Sequence, residues 1–127
     1  MTVTEQKPRE VILAMLPPGE TICIVGCGCC ARLCESGGAP QVEAMARCLT
    51  AEGRKVIAAL VPAEACHATD TPAFLRTHEA EVAGADCILA MCCDSGVRVI
   101  AEALCPKPVK PALQKPETEV STQEGQT

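Results

Sequence analysis

The segment IVGCGCCARLCESGG, residues 24–38, decides the fold, because an apolar run passes directly into a loop rich in glycine and cysteine. Short apolar runs recur downstream and alternate with stretches whose apolar residues are spaced three and four apart, as in strands alternating with helices. This pattern predicts an α/β fold, a single three-layer Rossmann-like domain with a short parallel sheet. The predicted strands cover 21–26, 55–62, 86–93 and 108–113, and the predicted helices follow Pro8 and cover 40–53, 70–85 and 95–104.

The predicted domain spans residues 1–114. Residues 115–127 (KPETEVSTQEGQT) are polar and lack apolar periodicity, so we expect a disordered tail there. Within the domain, Thr71 is the predicted N-cap of the third helix and Pro72 occupies its first position.

Two patterns overlap in the loop that follows the first strand. Gly26, Gly28 and Ala31 form G-x-G-x-x-A, which resembles a dinucleotide-binding fingerprint. Cys27, Cys30 and Cys34 form C-x-x-C-x-x-x-C, a spacing that is typical of metal binding.

The nucleotide interpretation is disfavoured by the residues that come after this fingerprint. A dinucleotide fold needs a helix that begins inside the fingerprint, and Gly37, Gly38 and Pro40 would break such a helix. The acid expected roughly 20 residues on has no good candidate, since Glu64 comes 38 residues after Gly26. We instead expect four glycines to approach a bulky cluster closely, with N–H groups free to bond its sulfides. They are Gly26, Gly28, Gly37 and Gly38.

Cysteine is the anomaly of the composition, with 11 in 127 residues. The N-terminus carries acids and lacks the basic region of a secretion signal, so we expect a cytoplasmic, reducing location. In such a compartment, dense cysteine points to metal or redox chemistry rather than to disulfides.

The cysteines sort into two groups on the predicted sheet. Ligands of open α/β sheets bind beyond the carboxyl ends of the parallel strands, and seven cysteines follow those ends. They are Cys27, Cys29, Cys30, Cys34, Cys66, Cys92 and Cys93. The remaining four are interpreted as small hydrophobic residues. They are Cys23, Cys48, Cys87 and Cys105.

Thiolates that converge from three loops have three possible uses. A cubane iron–sulfur cluster requires four of them, and a tetrahedral zinc site can use the same set. Structural zinc usually takes two close C-x-x-C pairs, and this chain has only Cys27/Cys30, so the spacing favours iron–sulfur. A thiol-based redox protein remains the third possibility.

The rest of the composition argues against other functions. The net charge of −5 without a cluster of Lys and Arg disfavours nucleic acid as a partner. No apolar run approaches the roughly 20 residues that cross a bilayer, so we expect no membrane insertion. There is no Ser/His/Asp set and no convincing carboxylate pair, so no residue is assigned a catalytic role. His67 is interpreted as a solvent-exposed loop residue despite its neighbour Cys66.

Three segments resemble a known family. VGCGCCARLCESGG, CCDSGVRVIAEA and PVKPAL are similar to the N-terminal domain of the MetV-type small subunit of methylenetetrahydrofolate reductase, over residues 8–114. In the first segment the matches to the family pattern are Gly26, Cys27, Gly28, Cys30, Cys34, Gly37 and Gly38. Cys66 and Cys93 match the cysteines after the second and third strands, but Asp94 replaces a family glycine. The family's second cysteine-rich domain is not contained in these 127 residues.

The resemblance implies a non-catalytic subunit that carries a [4Fe-4S] cluster and passes electrons to a MetF-like flavoprotein, or to another redox partner, in one-carbon metabolism. It implies five candidate ligands for four places: Cys27, Cys30, Cys34, Cys66 and Cys93. Cys27 is the first to leave out, because it directly follows the strand and is placed to point into the fold. A zinc-stabilised interaction module stays open as the alternative.

Overall fold

The structure is a computed structural model that describes residues 3–116. Helices and strands alternate through most of this range, because apolar β-favouring runs alternate with amphipathic ones. The elements are β1 (Glu5–Gln6), α1 (Arg9–Met15), β2 (Thr21–Val25), α2 (Cys30–Leu33), α3 (Ala39–Ala51), β3 (Lys55–Leu60), α4 (Asp70–Thr77), α5 (Glu79–Ala83), β4 (Cys87–Ala90), α6 (Asp94–Leu104), β5 (Val109–Pro111) and β6 (Leu113–Gln114).

Four strands form one parallel sheet in the order β3-β2-β4-β5. The two central strands, β2 and β4, are buried except for Thr21 at the start of β2. Their sequences TICIV and CILA are therefore nearly continuous apolar runs, as expected of strands covered on both faces. This confirms the predicted α/β fold with a parallel sheet.

The core is built from aliphatic residues and cysteine. Leu16, Ile24, Leu89 and Ile100 are completely buried, and Cys23 is buried among them. The amphipathic helix α3 contributes Val42, Met45 and Leu49 to this core, at the spacing that its sequence predicts. With a single aromatic residue among 127, packing depends on these branched and sulfur-containing side chains.

The helix predicted over 70–85 differs in two ways. It is divided at His78, so that α4 and α5 are separate helices. The N-cap prediction is wrong, because Thr71 lies inside α4 and its hydroxyl donates to the Glu64 carbonyl at 2.9 Å. At the start of α4 the acceptor is instead the imidazole of His67, whose Nδ1 accepts the N–H groups of Thr69 and Asp70 at 3.3 and 3.0 Å.

A second, two-stranded sheet was not predicted. In it β1 pairs with β6 antiparallel, with Glu5 opposite Gln114 and Gln6 opposite Leu113. The Lys7 N–H extends the pairing by donating to Ala112 O at 2.8 Å. We call residues 4–7 and 112–114 the terminal ribbon. Of the predicted disordered tail (115–127), residues 117–127 lie outside the described residues.

Candidate functional site

The candidate site lies at the carboxyl end of the parallel sheet, where three loops meet. The cysteine loop (residues 26–38) follows β2, the second loop (61–69) follows β3, and the third loop (91–93) follows β4. Parallel strands end at the same edge of a sheet, so these loops are neighbours in space although they are far apart in sequence.

Backbone hydrogen bonds join the cysteine loop to the second loop. The N–H of Gly26 donates to Leu60 O at 2.8 Å, and the N–H of Gly28 donates to Pro62 O at 2.9 Å. These bonds continue the β2–β3 ladder past the ends of the strands, so the two loops leave the sheet side by side.

The third loop packs directly against the other two. A Cβ on Gly37 would lie only 2.0 Å from Met91 O, so the cysteine loop and the third loop are in backbone contact. A Cβ on Gly96, in the first turn of α6, would lie 3.1 Å from the Ala65 Cβ and 2.8 Å from the Cys92 Sγ. The second loop therefore touches the start of α6, and all three loops are packed together.

Cys27 sits where the cysteine loop meets the second loop. It is only 4 % exposed, which agrees with the expectation that it points into the fold. Its Sγ accepts two N–H groups, from Cys29 and from Ala65, both at 3.4 Å. Two donors aimed at one sulfur stabilise negative charge on that sulfur, so the buried position does not argue against Cys27 as a ligand.

Cys66 and Cys93 bring thiols from the other two loops. Both are half-buried. Burial, the neighbouring thiol of Cys93 and the carboxylate of Glu64 raise the pKa of Cys66, whose Sγ lies 3.7 Å from Glu64 Oε1. The buried Cys92 has its pKa raised chiefly by burial and next by Cys93, Cys27 and Cys66. Thiols from all three loops are thus close enough to Cys92 to raise its pKa.

The remaining cysteines of the site lie in and beside α2. Cys30 begins this helix, and the N–H of Cys34 donates to Cys30 O at 3.0 Å, so these two candidate ligands are one helical turn apart. Cys29 precedes the helix, and burial and then Cys30 raise its pKa. Both Cys30 and Cys34 are half-buried.

The loops are gathered, but the thiols are not drawn together into a coordination set. Within residues 3–116, no group of three or more His, Cys, Asp or Glu side chains is arranged to hold a metal ion. No disulfide joins cysteines of this range either. The structure therefore brings together the loops that carry the five predicted ligands and leaves their coordination as a prediction.

The four glycines have a different role from the expected one. Their N–H groups are not free for cluster sulfides, because those of Gly26 and Gly28 bond the second loop and that of Gly37 donates to Ala31 O at 3.1 Å. The Gly38 N–H donates to Gln41 Oε1 at 3.1 Å. The close approach that they permit is to other protein segments, since a Cβ on Gly26 would lie 2.3 Å from Gly37 O.

The short helix α2 corrects a second expectation. It begins inside the G-x-G-x-x-A pattern, whereas the sequence predicts a loop from the end of the first strand to Pro40. It ends after one turn because Glu35 takes a φ of 55°, and the N–H groups of Ser36 and Gly37 both return to Ala31 O. The helix stops before Gly37 and Gly38, so the long helix of a dinucleotide fold is still missing from this position.

Sequence reasoning missed the polar groups that hold the loops in place. His67 is exposed, as predicted, but its imidazole starts α4 and so fixes the second loop next to Cys66. Ser36 is 2 % exposed and is bonded to residues 30 or more positions away, a relation that no local spacing signals.

Comparison with known proteins gives no match, whether with protein-family models, with curated proteins or with solved structures. Of the helices between residues 3 and 116, none is long and apolar enough to cross a membrane.

Proposed function

We propose that the chain is a cytoplasmic electron-transfer module that holds one [4Fe-4S] cluster at the carboxyl edge of a three-layer, Rossmann-like sheet. The observation that carries the proposal is the packing of three loops, each with cysteine, around the end of β2 and β4. Thiolates are the ligands that such clusters use, and four of the five candidates would suffice. A bound cluster would supply one-electron transfer.

The chain's own residues suggest which thiols would hold the cluster. Cys66 and Cys93 each bring one thiol from a separate loop, and Cys30 and Cys34 bring two from the start and the C-cap of α2. Cys27 competes for one of these places, because the N–H groups of Cys29 and Ala65 would stabilise its sulfur as a metal-bound thiolate. We therefore keep all five in the candidate set and no longer leave Cys27 out first.

The partner rests on the sequence resemblance alone. A MetF-like flavoprotein of methylenetetrahydrofolate reductase would receive the electrons, with the present chain as the non-catalytic subunit. Zinc is the second metal that the same thiols could bind, and the two N–H donors on Cys27 would stabilise a thiolate bound to zinc as they would one bound to iron.

The test is anaerobic purification of the full chain followed by assays of iron, acid-labile sulfide and zinc, with a visible spectrum. We expect a brown protein with about four iron and four sulfide per chain. A colourless protein that contains one zinc and no sulfide would overturn the electron-transfer proposal in favour of the zinc module.

Serine variants locate the ligands. Cys66→Ser and Cys93→Ser should each lose most of the bound iron, because each removes the candidate ligand that its loop contributes. Cys105→Ser is the matched control, since Cys105 is exposed and lies outside the three loops. If the Cys66 and Cys93 variants both keep the iron content of this control, the three-loop site is wrong.

A further inference from the structure

A buried pair of hydroxyls joins the terminal ribbon to the cysteine loop. Thr4 Oγ1 and Ser36 Oγ are 2.8 Å apart, and the two residues are only 8 % and 2 % exposed. The Ser36 hydroxyl also lies 3.3 Å from Ala31 O, to which it donates, so the Thr4 hydroxyl is the donor to Ser36. The Gln6 side-chain amide adds a bond to Ser36 O at 3.2 Å.

Ser36 stands next to the residue that ties the loops together. The carbonyl of Gly37 accepts the Cys27 N–H at 2.9 Å, and the Gly37 backbone packs against Met91 O. A displacement of Ser36 therefore shifts the backbone that orients Cys27 and supports the third loop.

The other strand of the ribbon reaches the same edge. The N–H of Ala112 donates to Ala90 O at 2.9 Å, and Ala90 directly precedes the third loop. The ribbon is thus hydrogen-bonded to the candidate site at two points, Ser36 in the cysteine loop and Ala90 before the third loop.

We propose that Thr4 and Ser36 are positioning residues for the thiol site, and that ribbon docking and metal loading stabilise each other. The inference rests on the proposed metal-binding function. Its physical basis is linkage, because a contact that orders the cysteine loop for the metal must in turn be strengthened when the metal orders that loop.

The first test measures metal release. Thr4→Val keeps the shape of the side chain and removes the hydroxyl. The full chain is purified anaerobically with the iron or zinc that it carries and is mixed with a colorimetric chelator. We expect the variant to release its metal between about twofold and tenfold faster than the wild type, as expected for the loss of one hydrogen bond of ordinary net strength. Thr4→Ser should restore the slow release. Thr50→Val is the matched control, since the Thr50 hydroxyl bonds only within α3, to Ala46 O.

The second test separates positioning from general stability. Amide hydrogen exchange at Lys7, whose N–H bonds across the ribbon, should slow when the metal-stripped chain is reloaded. In Thr4→Val this dependence on metal should shrink. A purely structural hydroxyl would speed exchange equally in the loaded and the stripped chain. Gln6→Met provides a second variant at an exposed position, should Thr4→Val fail to fold.

The outcomes are distinguishable. A chain that binds neither zinc nor iron overturns both the proposed function and this inference. A chain that binds metal, but releases it at the same rate in wild type, Thr4→Val and Gln6→Met, overturns the inference alone. The same holds if metal leaves the Lys7 exchange rate unchanged in the wild type.

Discussion

The two ends of the central strand pair, β2 and β4, are completed in different ways. At the amino end, Thr21 and Asp86 bond to each other through both backbone and side chains. The Thr21 N–H donates to Asp86 Oδ2 at 2.9 Å, and the Asp86 N–H donates to Thr21 O at 2.8 Å. The bond from the Thr21 N–H, and next the bond that the Thr21 hydroxyl donates to Asp86 Oδ2 at 3.2 Å, lower the pKa of the Asp86 carboxyl.

At the carboxyl end the corresponding position holds neighbouring thiols in place of such reciprocal hydrogen bonds. Burial is the main cause that raises the pKa of Cys66 and of Cys92, and neighbouring thiols raise both further. The amino end thus stabilises its charged group with its own N–H and O–H donors. The carboxyl end disfavours the charged forms of Cys66 and Cys92, and a bound cation would reverse that preference. The comparison teaches that the amino end stabilises the charged group that it contains, whereas the carboxyl end brings together thiols whose charged forms are disfavoured.

The largest effect on folding is expected at Gly37, where the carboxyl-end loops touch. Gly37→Ala would place a Cβ 2.0 Å from Met91 O, a backbone atom that cannot rotate away. We expect the free energy of unfolding to fall by about 3 kcal/mol, measured by urea denaturation of the metal-free chain.

The control for this substitution is Gly84→Ala, because a Cβ there would have only ordinary contacts, the nearest with the end of the Ile57 side chain at 3.4 Å. Its stability should remain within about 1 kcal/mol of the wild type. Equal stability of the two variants would show that the loops are not packed as described.

A smaller effect is expected between the two ends, at Cys23 in the middle of β2. Burial raises the pKa of this thiol to about 12, so it is neutral at pH 7 and packs as a small hydrophobic residue. Cys23→Ser buries a hydroxyl there and should cost about 2 kcal/mol in urea denaturation. Cys105→Ser, at an exposed position, should cost less than about 0.5 kcal/mol. A Cys23 variant as stable as the Cys105 variant would refute the hydrophobic role.

The smallest effect is expected at the amino end and depends on pH. The folded-state pKa of Asp86 is below its unfolded value, so its contribution to stability is present above about pH 4 and is lost as the pH falls through the folded value. Asp86→Asn should therefore be less stable than the wild type at pH 7 and converge with it near pH 2, as followed by thermal unfolding. A difference that persists at low pH would show that the charge is not what stabilises this end.

Much of this arrangement can be predicted from sequence because parallel strands impose it. The runs TICIV and CILA predict buried strands, and strands of one direction bring the segments after Val25 and Ala90 to one edge. The meeting of the cysteine-bearing loops could therefore be predicted without knowledge of any side-chain contact.

The errors have a common physical cause, which is that short elements and distant polar contacts leave no periodic signal. A single turn such as α2 is too short for a helical pattern, and the two-residue strands of the terminal ribbon are too short for alternation. Thr71 has the right residue type for an N-cap, but the helix begins earlier, at Asp70, where the imidazole of His67 accepts the N–H groups of Thr69 and Asp70. The bond between Thr4 and Ser36 spans 32 residues.

The terminal ribbon also has a consequence for the order of events during synthesis. Glu5 and Gln114 are 109 residues apart in sequence, so their strands cannot pair until nearly all of the described chain has left the ribosome. By then every strand of the parallel sheet and every candidate cysteine has already emerged. Because long-range pairing carries the largest loop-closure entropy, we expect the ribbon to be the last part of the fold to close.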